Sequence, residues 1–163
     1  MQTKKIVLTT IAILLALSVI AASVLPATTS TIKKGETVEF YSGRAGVSFT
    51  DSQFTGAVRL ARIDDSKIKA TNHPKFKHDL LSVRFTKSNG EKVTHVLGAV
   101  YVFFIVNRSE VSAWEKGELA VYVYDSWKNE WQECYSFLVN DSNGKSSLAC
   151  RMRIFSTYGV AKK

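Results

Sequence analysis

The sequence predicts an all-β protein: an antiparallel β-sandwich of about eight strands with one short connecting helix, preceded by an apolar N-terminal signal or anchor helix. Three observations carry this expectation. Short runs of β-branched and aromatic residues recur between turn residues from Glu36 onward. A single stretch, 107–117, has good helical character. The chain has 163 residues, 45% of them hydrophobic and 22% charged, which is material for one core. That composition excludes wholesale disorder, collagen and low-complexity scaffolds. Two cysteines exclude a cystine-dense miniprotein and are too few for a four-Cys zinc site.

The N-terminal segment stands apart from the fold. Lys4 and Lys5 precede a stretch without charge from Ile6 to Ala27, the signature of a secretory signal. Ala21/Ser23 or Leu25/Ala27 supply small-residue or near-small positions for cleavage. The run Ile6–Leu25 is also long enough, at about 1.5 Å per residue, to cross a bilayer as an uncleaved anchor. Both alternatives keep Lys4 and Lys5 inside and place the chain after Pro26 outside. The expected organisation is therefore a signal peptide or signal anchor at 1–27, a short polar tether at 28–35 and the sandwich at 36–163. The protein is expected to be secreted or displayed on the cell surface, touching membrane solely through its N-terminal segment if that stays uncut.

The strands follow in order. ETVEFY (36–41) leads through the glycine-containing SGRAG to VSFT. TGAVRLARI (55–63) sets basic residues between apolar ones. LLSVRFT (80–86) alternates, with Leu81, Val83 and Phe85 facing a core and Ser82, Arg84 and Thr86 facing water. The turn residues KSNG then make 80–97 a hairpin. VLGAVYVFFIV (96–106) is apolar on both faces, too short for a membrane span, and reads as a central strand covered on both sides. In 107–117, Ser112 and Glu115 have capping-box spacing and Gly117 is a suitable stop, giving about two turns of helix. ELAVYVYD (118–125), WQECYSFLV (131–139) and SLACRMRIF (147–155) complete the set, the last two joined by the NDSNGK loop.

Cys134 and Cys150 fall on the two arms of that last hairpin, nearly opposite each other. In an exported chain this predicts one structural disulfide, closing a loop of about 15 residues worth about 3 kcal/mol. Two buried free thiols are the alternative. No CxxC motif points to redox chemistry.

The stretch from Trp114 to Val160 resembles the C-terminal strands of β-sandwich modules of bacterial secreted and cell-surface proteins. In those modules a strand of the type L-x-V-Y-x-Y-D precedes a W-containing turn, a hairpin, and a closing F-S-x-Y-[GA]-[LV] strand. The matching residues are Leu119, Val121, Tyr122, Tyr124 and Asp125, then Trp131, then Phe155, Ser156, Tyr158, Gly159 and Val160. The match covers about the last third of the chain. The resemblance implies a sandwich in an extracellular structural or adhesive setting, with no catalytic residues at these positions.

No catalytic motif, metal site or cofactor is expected. His73 and His78 flank Lys75 and Lys77, which repel a cation, and His95 sits in a strand. Gly144-Lys145-Ser146 mimics the end of a P-loop, but Val139 occupies the position of its first glycine. The same Val139 spoils a calcium loop in NDSNG. No G-x-S-x-G elbow is present. Two sequons, at Asn107 and Asn140, matter solely in a host that glycosylates.

Two candidate binding surfaces remain. One is basic: Arg59, Arg62, Lys67, Lys69, Lys75 and Lys77, against Asp64, Asp65 and Asp79, suited to an anionic partner or simply to solvation. The other is aromatic: Tyr124, Trp127 and Trp131, with Tyr122, Tyr135 and Phe137 nearby, suited to stacking on sugars or to a core layer. The expected function is non-enzymatic, a structural, adhesive or protein-interaction module, with carbohydrate binding as the alternative. An extracellular protein or polysaccharide is the expected partner. Nucleic acid is not, since an exported chain seldom meets it and no recognition motif is present.

Overall fold

The computed structural model describes residues 27–40, 42–52 and 55–163. The expected signal or anchor lies outside them, apart from Ala27, and no described helix is long and apolar enough to cross a membrane. Thirteen strands are described: β1 (Ala27–Ile32), β2 (Thr37–Phe40), β3 (Ala45–Ser52), β4 (Gly56–Ile63), β5 (Lys75–Phe76), β6 (Leu80–Lys87) and β7 (Lys92–Val93), then β8 (Gly98–Val106), β9 (Leu119–Asp125), β10 (Glu130–Cys134), β11 (Ser136–Asn140), β12 (Ser146–Arg151) and β13 (Thr157–Lys162). One helix, α1 (Arg108–Glu115), and a 3-10 turn at Asp65–Lys67 join them.

The strands form two antiparallel sheets. Sheet 1 runs β1-β4-β6-β13-β9-β10, with β5 added to β13 and β7 to β6; sheet 2 runs β11-β12-β8-β3-β2. Their facing residues make one buried cluster. Leu60, Val83, Phe85 and Val121 come from sheet 1, and Val47, Phe49, Val102 and Leu148 from sheet 2. The all-β, sandwich-like class follows directly from the alternation in the sequence, since each strand has one apolar face to bury.

Several elements depart from expectation. The strand count exceeds eight because two-residue strands such as β5 and β7 carry no sequence signal. The polar stretch expected as a tether forms β1, the edge of sheet 1, paired with β4 from Ala27↔Ala61 to Ile32↔Gly56. Its threonines are β-branched and suit an edge strand, while Ile32, 1% exposed, anchors it in the core. Gly56 lets the two chains approach: a Cβ there would lie 2.2 Å from the Thr86 carbonyl oxygen.

In β6, Leu81, Val83 and Phe85 are buried as the alternation requires, but so are Leu80 and Ser82 on the outer face. Leu80 lies beside Phe76 over Gly159, and Ser82 sits between Ala61 and Thr157 of the neighbouring strands. The helix falls inside the expected stretch 107–117, but its cap is Asn107 rather than Ser112. Asn107 caps it, its Oδ1 accepting from the Glu110 N–H (3.0 Å), while Glu110 Oε2 accepts from the Asn107 N–H (2.9 Å). β8 ends at Val106, so Asn107 is the first residue free to leave the sheet and cap. Gly117 (φ 75°) stops the helix as expected. Asn107→Ala should cost about 1 kcal/mol in urea unfolding, and Ser112→Ala, which removes no cap, much less.

The run 131–139 is not one strand. It divides at Tyr135 into β10 in sheet 1 and β11 in sheet 2. A disulfide joins Cys134 of β10 to Cys150 of β12, with Cα atoms 6.1 Å apart. The expected pairing therefore holds, but the bond links the two sheets rather than two arms of a hairpin. Opposite Cys150 in the hairpin itself stands Ser136.

Candidate functional site

The expected aromatic patch is broken up by the chain before β6. Asn72 clasps the backbone of β10: its Oδ1 accepts from the Trp131 N–H (2.7 Å) and its Nδ2 donates to the Trp131 carbonyl (2.9 Å). The Thr71 N–H donates to the Asn129 carbonyl at 2.8 Å. These bonds draw residues 64–79 over the outer face of sheet 1. There Phe76 packs on Trp131 with ring centroids 4.6 Å apart, and Trp131 is 2% exposed. Gly159 floors this contact, because a Cβ there would lie 2.5 Å from Leu80 Cδ2 and 2.8 Å from Phe76.

Trp131 thus offers no ring to a ligand, which corrects its place among the binding candidates. Tyr124 is half-buried, 5.5 Å from Trp131, and its hydroxyl donates to Asn129 Oδ1 (2.6 Å). Trp127 stands alone at the β9–β10 turn, 91% exposed, its backbone N–H donating to Asp125 Oδ1. The three do not share one flat surface.

The basic residues also separate. Arg62 pairs with Asp79 at 2.7 Å. Lys67, Lys69, Lys75 and Lys77 are exposed along the segment that covers Trp131. In that segment Asp64 caps the 3-10 turn, and the Ser66 backbone N–H holds its carboxyl below the usual range. Arg59 lies apart, exposed on the outer face of β4.

The histidines serve local contacts. His78 Nε2 lies 2.7 Å from Glu110 Oε1, at ion-pair distance though not aligned as a hydrogen bond. His73 Nε2 lies 3.2 Å from the Ile68 carbonyl oxygen. Among the described residues no group of three or more His, Cys, Asp or Glu gathers in a form able to hold a metal ion. Burial pushes the Tyr158 phenol far above its ordinary pKa, and its hydroxyl donates to the Ile154 carbonyl (2.5 Å).

A surface the sequence reading missed lies on the outer face of sheet 2. β8 sits between β12 and β3 as a central strand, but its burial alternates: Val100, Val102, Phe104 and Val106 are buried, while Tyr101, Phe103 and Ile105 are half-exposed. The expectation of two covered faces is therefore wrong for the described residues. The strand is apolar on both sides because one side meets the core and the other lines an open groove.

Register builds that groove. One row runs across the sheet from Phe137 through Ala149, Phe103 and Gly46 to Glu39. The next row sets Val139, Ser147 and Ile105 side by side. Gly46 has no room for a side chain, since a Cβ would lie 2.5 Å from Phe103 Cζ and 2.8 Å from Phe103 Cε1. Tyr101 meets Phe137 edge to face, centroids 5.6 Å apart. Phe137 and Val139, at 36% and 40% exposure, form one wall of a groove of about 660 Å³. Glu39, Asp141 and Lys145 stand at its rim with Thr37, Ser48 and Thr50.

No protein-family model matches the chain, and no curated protein matches it.

Proposed function

We propose that the chain is a non-enzymatic extracellular or cell-surface β-sandwich module that works by binding a protein partner on the outer face of sheet 2. One observation carries this reading. Tyr101, Phe103, Ile105, Phe137 and Val139 form a contiguous apolar band open to solvent, in a chain that is 22% charged. Contiguous exposed apolar surface with a polar rim is what protein interfaces present, with aromatic residues at the centre and charges outside. Ile105 and Val139 favour a polypeptide over a sugar, because branched aliphatic side chains pack on apolar side chains and give a pyranose ring no flat face. The disulfide is compatible with an extracellular setting.

Carbohydrate binding is the second reading, favoured by the exposure of Trp127 and by Tyr101 and Phe137 beside the rim carboxylates. The test measures retention of the full chain on envelopes of the producing cell, before and after protease or periodate treatment of the envelope. Ile105→Glu and Phe137→Glu are the variants, and both should leave stability within about 1 kcal/mol because the side chains face outward. Loss of retention in both variants, and on protease-treated envelopes, supports the protein reading. Loss after periodate with persistence after protease transfers the face to sugars. Retention unchanged in both variants removes the groove from consideration.

A further inference from the structure

On the opposite side of the molecule, sheet 1 sets two arginines directly against each other. Arg59 of β4 pairs with Arg84 of β6 in register, both exposed on the outer face between buried core positions. Side chains so placed stand about 4.5–5.5 Å apart at Cβ, and like charges there repel. Neither arginine forms an ion pair among the described residues, so nothing described offsets the repulsion. The neighbours on that face are Thr29, opposite Arg59, and Ser82 and Thr86, flanking Arg84, with Lys92 opposite Thr86. Hydroxyls and a third cation surround the pair, and these positions hold no carboxylate.

We propose that Arg59 and Arg84 form a site for a tetrahedral oxyanion, the phosphate or sulfate ester of an anionic polysaccharide. Two planar guanidinium groups present a fork of N–H donors that matches such an anion, and one anion between them turns repulsion into two charge-assisted contacts. The sheet fixes both Cα positions, so part of the ordering is complete before the ligand arrives. The Thr29 and Thr86 hydroxyls beside them, which unlike Ser82 reach solvent, suit the sugar and ester oxygens. This site lies on the other sheet from the apolar groove and does not depend on it.

The experiment passes the full chain over dextran sulfate, phosphorylated dextran and neutral dextran at low salt. Retention on a charged dextran and none on the neutral one is expected, with the more strongly retaining polymer naming sulfate or phosphate as the anion. R59Q/R84Q should weaken that binding at least tenfold. K67Q/K69Q removes the same charge from exposed lysines elsewhere and should weaken it less than threefold. At low salt, without polymer, R59Q alone should raise the thermal midpoint as the repulsion is relieved. Equal losses in the two double variants would reduce the effect to net charge and overturn the site. So would absence of retention on both charged dextrans, or a lower midpoint in R59Q.

Discussion

Trp131→Ala is expected to cost about 3–5 kcal/mol of stability, whereas Trp127→Ala, four residues earlier, leaves stability within about 0.5 kcal/mol. Both indoles belong to the same aromatic-rich stretch, and their fates differ through contacts made far away in the chain. Trp131 is 2% exposed beneath Phe76, and both its backbone N–H and its carbonyl are held by Asn72. Removing the ring leaves a cavity between β10 and the segment that covers it, and that segment then has little to rest on. Trp127 projects from a turn at 91% exposure and contributes no such packing. Urea unfolding of both variants, followed by far-UV circular dichroism, checks the pair. Similar losses in the two would contradict the burial of Trp131.

Replacing both cysteines, as C134A/C150A, should lower stability by about 3 kcal/mol and steepen the urea dependence. The loss follows from freeing the unfolded chain, which the bond otherwise constrains over a sequence separation of 16. The steeper slope follows from the same release, since an uncrosslinked unfolded chain exposes more surface. Cys150 is 0% exposed, so alanine is the replacement that adds no buried hydroxyl. The oxidised wild type treated with dithiothreitol should shift to the variant's midpoint. A midpoint unmoved by either change would mean that the bond adds nothing to the fold.

Legibility in the sequence followed the range of the forces involved. The alternation Leu81, Val83, Phe85 is local, and these residues are buried as read. The Gly117 stop is local too. The split of 131–139 was not legible, because an apolar run looks the same whether it stays in one sheet or crosses to another at Tyr135. The face of Tyr101, Phe103 and Ile105 looked like core because aromatic and branched side chains are what a core contains. Arg84 escaped notice for a different reason. Proximity along the chain groups Arg59 with the lysines up to Lys77, whereas the sheet places it beside Arg84 by register. Asn72 reaches Trp131 across a sequence separation of 59, which no spacing rule covers.

The bond between the sheets also sets how the domain would respond to being pulled. Among the described residues β1 is paired along its length with β4 alone, so tension applied at Ala27 against the rest of the domain loads its hydrogen bonds one after another, like a zipper. β13, between β6 and β9, lies inside sheet 1. Yielding therefore begins at β1 under small force. Unravelling that reaches Cys134 stops gaining length until Cys150, because the bond hides the chain between them. At about 3.3–3.6 Å per residue over a separation of 16, that is about 55 Å of slack withheld from an oxidised domain and released when the bond is reduced.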